Sequence, residues 1–184
     1  MRRIAIACSL LVAACSSGGT TIPPDTPPDL VELVERTLEE IGAALPAHAA
    51  CLDDLTVTHA WELDDRAEYR VADRTVVLRV PATAPELEFS LAHEVAHHLD
   101  FGCGLEPEVR DAFATAQGTD EPWEQGEAWE STPAELFATA VATLVTGHSD
   151  PLRHIAIEEA AMEVVQKWAD GSAVVLADSP DAAG

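Results

Sequence analysis

Lysine and arginine are scarce in this sequence. Ten basic residues stand against 33 aspartates and glutamates, which gives the chain a formal net charge of −23. A surface of this sign repels phosphate, which argues against nucleic acid and anionic lipid as partners. Basic peptides are compatible with such a surface, and so is simple adaptation to a salty exterior.

Long apolar runs are also missing. The most apolar stretch, Ile4 to Ala14, is too short to span a bilayer and follows two arginines at the N-terminus. A basic start followed by a short apolar segment is typical of a secretory signal peptide, which we expect over residues 1–14. No internal repeat is visible in the sequence.

The end of this segment, Val12-Ala13-Ala14-Cys15, resembles a bacterial lipobox, in which cleavage before the cysteine is followed by lipid attachment to its sulfur. We therefore expect lipidation of Cys15 and a membrane anchor outside the cytoplasm. The alternative is an ordinary signal peptide with a later cleavage site, which would give a secreted protein.

The mature chain divides into three parts. Residues 15–28 are rich in glycine, serine and proline and predict a flexible, extended tether. Residues 29–171 have the length of one domain with a hydrophobic core. Residues 172–184 predict a frayed tail.

Cysteine is sparse in the predicted domain. Only Cys51 and Cys103 remain once the N-terminal cysteines are set aside, and two thiols in an oxidising compartment predict a disulfide. The bond would close a long loop, for which an entropic model predicts about 4 kcal/mol of stabilisation.

Apolar periodicity predicts an α+β domain. We expect helices over 30–45, 85–100, 106–116, 131–145 and 151–169, and strands over 55–63, 68–72 and 75–80. The last two strands are predicted to form a hairpin that leads into the second helix. Predicted N-caps are Asp29, Thr83 in a capping box with Glu86, Thr132 and Asp150.

The second predicted helix contains His93-Glu94-Val95-Ala96-His97. Residues four apart share a helix face, so His93 and His97 can present two imidazoles to one metal ion. With a third protein ligand they would hold Zn²⁺ and leave one position for water, whose pKa the metal lowers to about 7. Glu94 is then placed to take the proton from that water and pass it to a leaving group.

The rest of this helix is consistent with a cleft on the histidine side. An apolar face lies opposite His93 and His97 and comprises Leu87, Leu91, Val95 and Leu99. His98 falls on that apolar face, so we interpret it as a structural histidine. The alternative for the whole motif is a helix with incidental histidines.

The motif and one later helix resemble the zincin metallopeptidases. The resemblance is local, and it implies a zinc-dependent endopeptidase with a peptide or protein substrate, in which a short sheet lies beside the active-site helix. Metzincin-type zincins have a glycine and a histidine where this chain has Asp100 and Cys103. Gluzincin-type zincins take a glutamate from a downstream helix, and Glu135 lies in a glutamate-x-Phe-Ala helix similar to theirs.

The resemblance thus implies His93, His97 and Glu135 as the metal ligands. The alternative for Glu135 is a capping box with Thr132, and the rival ligands are Asp100, Glu130 and Cys103. We prefer Asp100 as a carboxylate that orients a metal-binding imidazole.

Other parts of the interpretation stay open. Tyr69, His148 and His154 are candidates for stabilising the oxyanion, with none assigned. Trp123 and Trp129 occupy a polar loop that either rims the cleft or anchors packing. The functional alternatives are a non-catalytic lipoprotein that binds zinc or a partner, and a structural domain without metal.

Overall fold

A computed structural model describes residues 19–174. The predicted signal peptide, lipidation of Cys15 and most of the predicted tail lie outside the described residues. The helices are α1 Pro28–Ala44, α2 Ala84–His97, α3 Pro107–Gln117, α4 Pro133–Thr146 and α5 Glu159–Ala169, and the strands are β1 Thr56–Ala60, β2 Ala67–Arg70 and β3 Thr75–Arg79. The fold is α+β, as predicted. No helix within residues 19–174 combines the length and apolarity needed to span a membrane.

The three strands form one mixed sheet in the order β1-β3-β2. β2 and β3 are the predicted antiparallel hairpin, whereas β1 pairs with β3 in parallel. The first strand ends at Ala60, before the predicted Leu63, because the chain turns outward at Trp61, which is 72% exposed. β2 is an edge strand, so one side of its backbone is free of strand pairing within the sheet.

Helix α2 lies at the centre of the domain, between the sheet, α1 and α4. Its predicted apolar face is fully buried at Leu91 and Val95. These side chains join one core with Ile41 of α1, Leu78 of β3 and Val141 of α4. Each fully buried side chain of this kind contributes about 1.5–3 kcal/mol, which fixes α2 firmly in the domain.

Contacts with the domain begin before the predicted domain start at residue 29. Thr21 forms a parallel bridge with Thr56, and its N–H donates to the Leu55 carbonyl at 2.8 Å. Helix α1 starts at Pro28, and its N-cap is Pro27 instead of the predicted Asp29. The fixed φ of proline suits the first helical turn, so no capping side chain is needed.

The last helix is shorter than predicted, because Asp150 does not cap it. The buried Asp150 carboxylate accepts the backbone N–H groups of Leu152 and Arg153 at 2.8 and 3.1 Å, and both Arg66 guanidinium N–H groups at 3.0 and 2.6 Å. These bonds close a tight turn, so the chain continues without helix until Glu159.

The predicted disulfide between Cys51 and Cys103 is formed, with Cα atoms 6.3 Å apart. It ties a short 3₁₀ turn, Ala49–Leu52, to the end of the single π-helical turn, His98–Gly102, that follows α2. The exit from the motif helix is therefore fixed covalently to the segment after α1.

Candidate metal centre

The motif begins on a well-defined helix. Thr83 and Glu86 form the predicted capping box at the start of α2, and the Thr83 N–H donates to Glu86 Oε2 at 2.7 Å. Four residues apart on this helix, His93 and His97 are both buried. Their rings meet edge to face, with centroids 4.9 Å apart.

Glu135 reaches the two histidines from α4. Its Oε2 lies 3.0 Å from His93 Nε2 and 3.3 Å from His97 Nε2, and the two nitrogens are 3.2 Å apart. The structure therefore brings together the three side chains that sequence and resemblance singled out as ligands, although Glu135 follows His97 by 38 residues along the chain.

The spacing of these three atoms is compatible with a bound metal ion. Donor atoms about 2.0–2.1 Å from a tetrahedral Zn²⁺ lie roughly 3.3 Å from one another. The three separations of 3.0, 3.2 and 3.3 Å are close to that value. Two imidazoles and one carboxylate are also a donor set that suits zinc, so the residues present fit the ion.

The capping alternative for Glu135 is not what the structure adopts. Helix α4 has no side-chain N-cap, and the Thr132 hydroxyl donates to the Ala128 carbonyl instead. Burial would raise the pKa of the Glu135 carboxyl, but its hydrogen bonds with His93 and His97 outweigh burial and lower the pKa to about 2. The same bond to Glu135 raises the pKa of His97 against the effect of burial.

Two aromatic rings flank the imidazoles. Phe101 stacks on His97 with centroids 5.8 Å apart, and Trp129 stacks on His93 at 5.7 Å. Trp129 therefore belongs to the rim of the site. Trp123 is partly buried and packs against Phe113 and Phe137 of the core, so the two tryptophans of the polar loop have different roles.

The three side chains open into a cavity of about 280 Å³ that Glu94 also lines. Burial raises the pKa of the Glu94 carboxyl, while the neighbouring His93 and His97 oppose the change. A carboxyl group whose pKa is raised in this way is suited to accept and release a proton. The edge strand β2 forms one wall of the same cavity through Ala67, Glu68 and Tyr69.

Asp100 does not orient an imidazole, which corrects the sequence interpretation. Its Oδ1 accepts two N–H groups of Arg110 at 3.1 and 2.6 Å, and its Oδ2 accepts the Trp123 indole N–H at 2.7 Å. Nδ1 of His97 has no hydrogen-bond partner among residues 19–174. Asp100 therefore anchors α3 and the loop after it.

His98 is the structural histidine that its helix face predicted. Nε2–H of His98 donates to the Cys51 carbonyl at 2.8 Å, so its Nδ1 accepts the Tyr69 hydroxyl at 2.9 Å. Burial lowers the pKa of His98. His98, Cys51 and Cys103 form a second group with potential ligand atoms within 4.8 Å, but both sulfurs are held in the disulfide and offer no thiolate.

The three candidates for stabilising the oxyanion lie in different parts of the structure. Tyr69 lines the cavity, but its hydroxyl proton is directed to His98. His148 is exposed and stacks on Phe89, and His154 lines a different cavity together with Glu130. The rival ligands Glu130, Asp100 and Cys103 thus have other surroundings.

Sequence reasoning missed two arginines of the cavity, Arg66 and Arg153. The scarcity of basic residues was the one feature that could have drawn attention to them.

Comparisons with known proteins do not extend the resemblance: no protein-family model, no curated protein and no solved structure matches this chain.

Proposed function

We propose that this protein is a zinc-dependent endopeptidase of gluzincin type, with His93, His97 and Glu135 as the metal ligands. The observation that carries the proposal is the convergence of two imidazole nitrogens and one carboxylate oxygen, 3.0 to 3.3 Å apart, in a cavity that also holds Glu94. A peptide bond entering this cavity would meet a metal-binding triad and a proton-transfer group together.

When bound, zinc lowers the pKa of water and polarises a carbonyl oxygen. Within the protein, Glu94 takes the proton from the attacking water on its carboxylate and releases it to the leaving amine nitrogen. Glu94 lines the same cavity as the three ligands, and this position supports both halves of the transfer. Phe101 and Trp129, stacked on the two imidazoles, limit the orientations that the rings can adopt.

A peptide substrate is favoured by the wall that β2 provides. The strand lies at the sheet edge and contributes Ala67, Glu68 and Tyr69 to the cavity. An extended peptide can pair with such an edge through its backbone, which aligns one carbonyl with the catalytic groups. The disulfide is consistent with an extracytoplasmic location, and we propose anchoring to the membrane through a lipid on Cys15.

One observation favours a second candidate, a non-catalytic lipoprotein that binds zinc or a partner in the same pocket. A peptidase needs a donor for the oxyanion that forms at the carbonyl. The only one of the three predicted donors that lines the cavity is Tyr69, and its hydroxyl proton is directed to His98. The zinc-binding function would survive without that donor, whereas hydrolysis would be slow.

The test is hydrolysis of a mixed peptide library by the zinc-loaded wild type beside Glu94→Gln. We expect cleavage by the wild type and a loss of at least about a hundredfold in Glu94→Gln, because the amide accepts no proton. Zinc content measured on the same samples should be equal. Equal zinc with no cleavage by either protein would favour the non-catalytic candidate, and equal cleavage by both would contradict the role of Glu94.

A further inference from the structure

The cavity contains positive charge in a strongly acidic protein. Arg66 and Arg153 both line it, in a chain with only ten basic residues and a net charge of −23. Two of these few cations thus lie beside the candidate metal centre, and their binding partners differ.

Arg66 is already neutralised. Its guanidinium forms a two-point pair with the Asp150 carboxylate, at 3.0 and 2.6 Å, and the Asp150 side chain is only 1% exposed. This geometry satisfies both groups, so Arg66 has a structural role at the edge of the cavity.

Arg153 differs from Arg66 because it forms no ion pair with any residue in the range 19–174. Its guanidinium carbon lies 4.2 Å from the centre of the Trp129 ring. Stacking on an aromatic face leaves the N–H edge of a guanidinium available to a carboxylate. The exposed side chain therefore presents a charge without a counter-ion at the mouth of the site.

Two contacts hold Arg153 in this position. Asp150 accepts the backbone N–H of Arg153 at 3.1 Å while it binds Arg66, so the ion pair fixes the turn that carries Arg153. Trp129 in turn stacks on His93 at 5.7 Å. These distances put the Arg153 guanidinium within about 10 Å of the His93 ring, which is roughly three residues of an extended peptide.

We propose that Arg153 is a specificity-determining residue that binds a substrate carboxylate, so that the site prefers peptides with a negative charge within about three residues of the cleaved bond. This inference rests on the proposed peptidase function. It differs from the basic peptides that the overall charge suggested, because charge at a distance is screened beyond about 8 Å at physiological salt. Asp65 and Glu68 also line the cavity, so the preference depends on direct contact between the substrate carboxylate and the Arg153 guanidinium.

The carboxylate could come from an aspartate or glutamate side chain or from the C-terminus of the peptide. Both present the same planar pair of oxygens, which match the N–H edge of a guanidinium. A side-chain carboxylate would make the protein an endopeptidase selective for acidic sequences. A terminal carboxylate would direct cleavage to the last few residues of a chain.

The test measures binding of peptides to zinc-loaded Glu94→Gln, so that turnover does not interfere. The probes are acetylated peptides of alanine and leucine with one glutamate or one glutamine, each with a free or an amidated C-terminus. The glutamate is moved through the three positions on either side of the central bond. Isothermal titration gives the Kd of every probe.

We expect a charged probe to bind about tenfold more tightly than its neutral counterpart, the usual size of a charge-assisted hydrogen bond. The preference should vanish in Glu94→Gln combined with Arg153→Gln and be partly retained with Arg153→Lys. Lys167→Gln, which removes an equal charge from the exposed side of α5, is the matched control and should keep it. A preference for glutamate over glutamine would show that Arg153 binds a side-chain carboxylate, and a preference for a free over an amidated C-terminus would show that it binds the terminal carboxylate.

Equal affinity for all probes, no binding of any probe, or a charge preference that survives Arg153→Gln would each overturn the inference. Turnover of an amidated, neutral peptide by the wild type and by Arg153→Gln separates this inference from the peptidase proposal. Equal cleavage of that peptide without charge selectivity would leave a peptidase whose specificity lies elsewhere. No cleavage by the wild type would count against the peptidase, while the binding data would still decide the role of Arg153.

Discussion

His97 and His98 are neighbours in the chain, yet they face two different chemistries. His97 points into the cavity, where Glu135 accepts a hydrogen bond and raises its pKa. His98 is 1% exposed, is held by Tyr69 and the Cys51 carbonyl, and has a pKa lowered by burial. A step of about 100° around the helix separates a candidate metal ligand from a core histidine.

The difference between His97 and His98 shows that residue type alone does not determine the role of a histidine. Each histidine belongs to a group of three potential ligands within 4.8 Å. In one group a carboxylate completes the set beside a cavity. In the other, the disulfide removes both sulfurs from metal chemistry and leaves His98 as a hydrogen-bonded brace between β2, α2 and the 3₁₀ turn.

Removing the disulfide should give the largest loss of stability. Cys51→Ser combined with Cys103→Ser opens a connection between residues 52 positions apart, and we expect the free energy of unfolding to fall by about 4 kcal/mol. Urea unfolding of the metal-free protein measures this loss of stability. Zinc content should stay that of the wild type, and its loss would contradict the separation of the two groups.

His98→Ala should cost about 3 kcal/mol, because it removes a buried ring and leaves the Tyr69 hydroxyl and the Cys51 carbonyl without their partner. His97→Ala is the matched change one residue away. We expect it to cost less in the metal-free protein and to abolish zinc binding, which His98→Ala should leave intact. The reverse pattern in unfolding and zinc assays would exchange the roles assigned to the two histidines.

Gly102→Ala tests the hydrogen bond between Tyr69 and His98 by adding a methyl group beside it. An added Cβ would lie 2.6 Å from the Tyr69 hydroxyl and 2.8 Å from His98 Nδ1, so the hydrogen bond between them must move. We expect a loss of about 1–3 kcal/mol in urea unfolding. Gly42→Ala, in α1 with open space around it, is the control and should stabilise by roughly 0.5–1 kcal/mol. Equal effects of the two changes would count against the close contact.

The two histidines should have opposite pH effects on the metal-free protein. The folded pKa of His97 is raised, so its contribution is full below the unfolded pKa and is lost as the pH rises through the folded pKa. The folded pKa of His98 is lowered, so its contribution is full above the unfolded pKa and is lost as the pH falls. Glu135, with a folded pKa of about 2, should lose its contribution as the pH falls below about 4.

Unfolding of His97→Gln, His98→Gln and Glu135→Gln between pH 2 and 8 resolves these contributions. The readout is the direction in which each variant's difference from the wild type changes with pH. Parallel pH curves for the first two variants would show that the neighbouring histidines are electrostatically alike.

The parts of the molecule that follow from local pattern were predictable. The capping box of Thr83 and Glu86, the apolar face of α2 and the position of His98 all depend on residues within a few helical turns. The sequence spacing of His93, Glu94 and His97 likewise determines their relative placement once the helix forms.

Features that depend on distant residues were not predictable. Parallel pairing of β1 with β3 joins strands that are not adjacent in sequence order. Asp100 was misassigned because its partners, Arg110 and Trp123, come from later elements. The local pattern predicts Asp150 as a helix cap, whereas Arg66, 84 residues away, and a local turn compete for its oxygens. Glu135 was singled out by resemblance, since no local pattern separates a ligand from a cap.

The most direct test of this account is the zinc content per chain, measured by elemental analysis of wild type, Glu135→Ala and His97→Ala. We expect one zinc in the wild type and none in either variant, with Glu130→Ala as a carboxylate control that retains the metal because Glu130 lines a different cavity. Zinc retained in Glu135→Ala would remove α4 from the site, and a wild type without zinc would contradict the metal centre altogether.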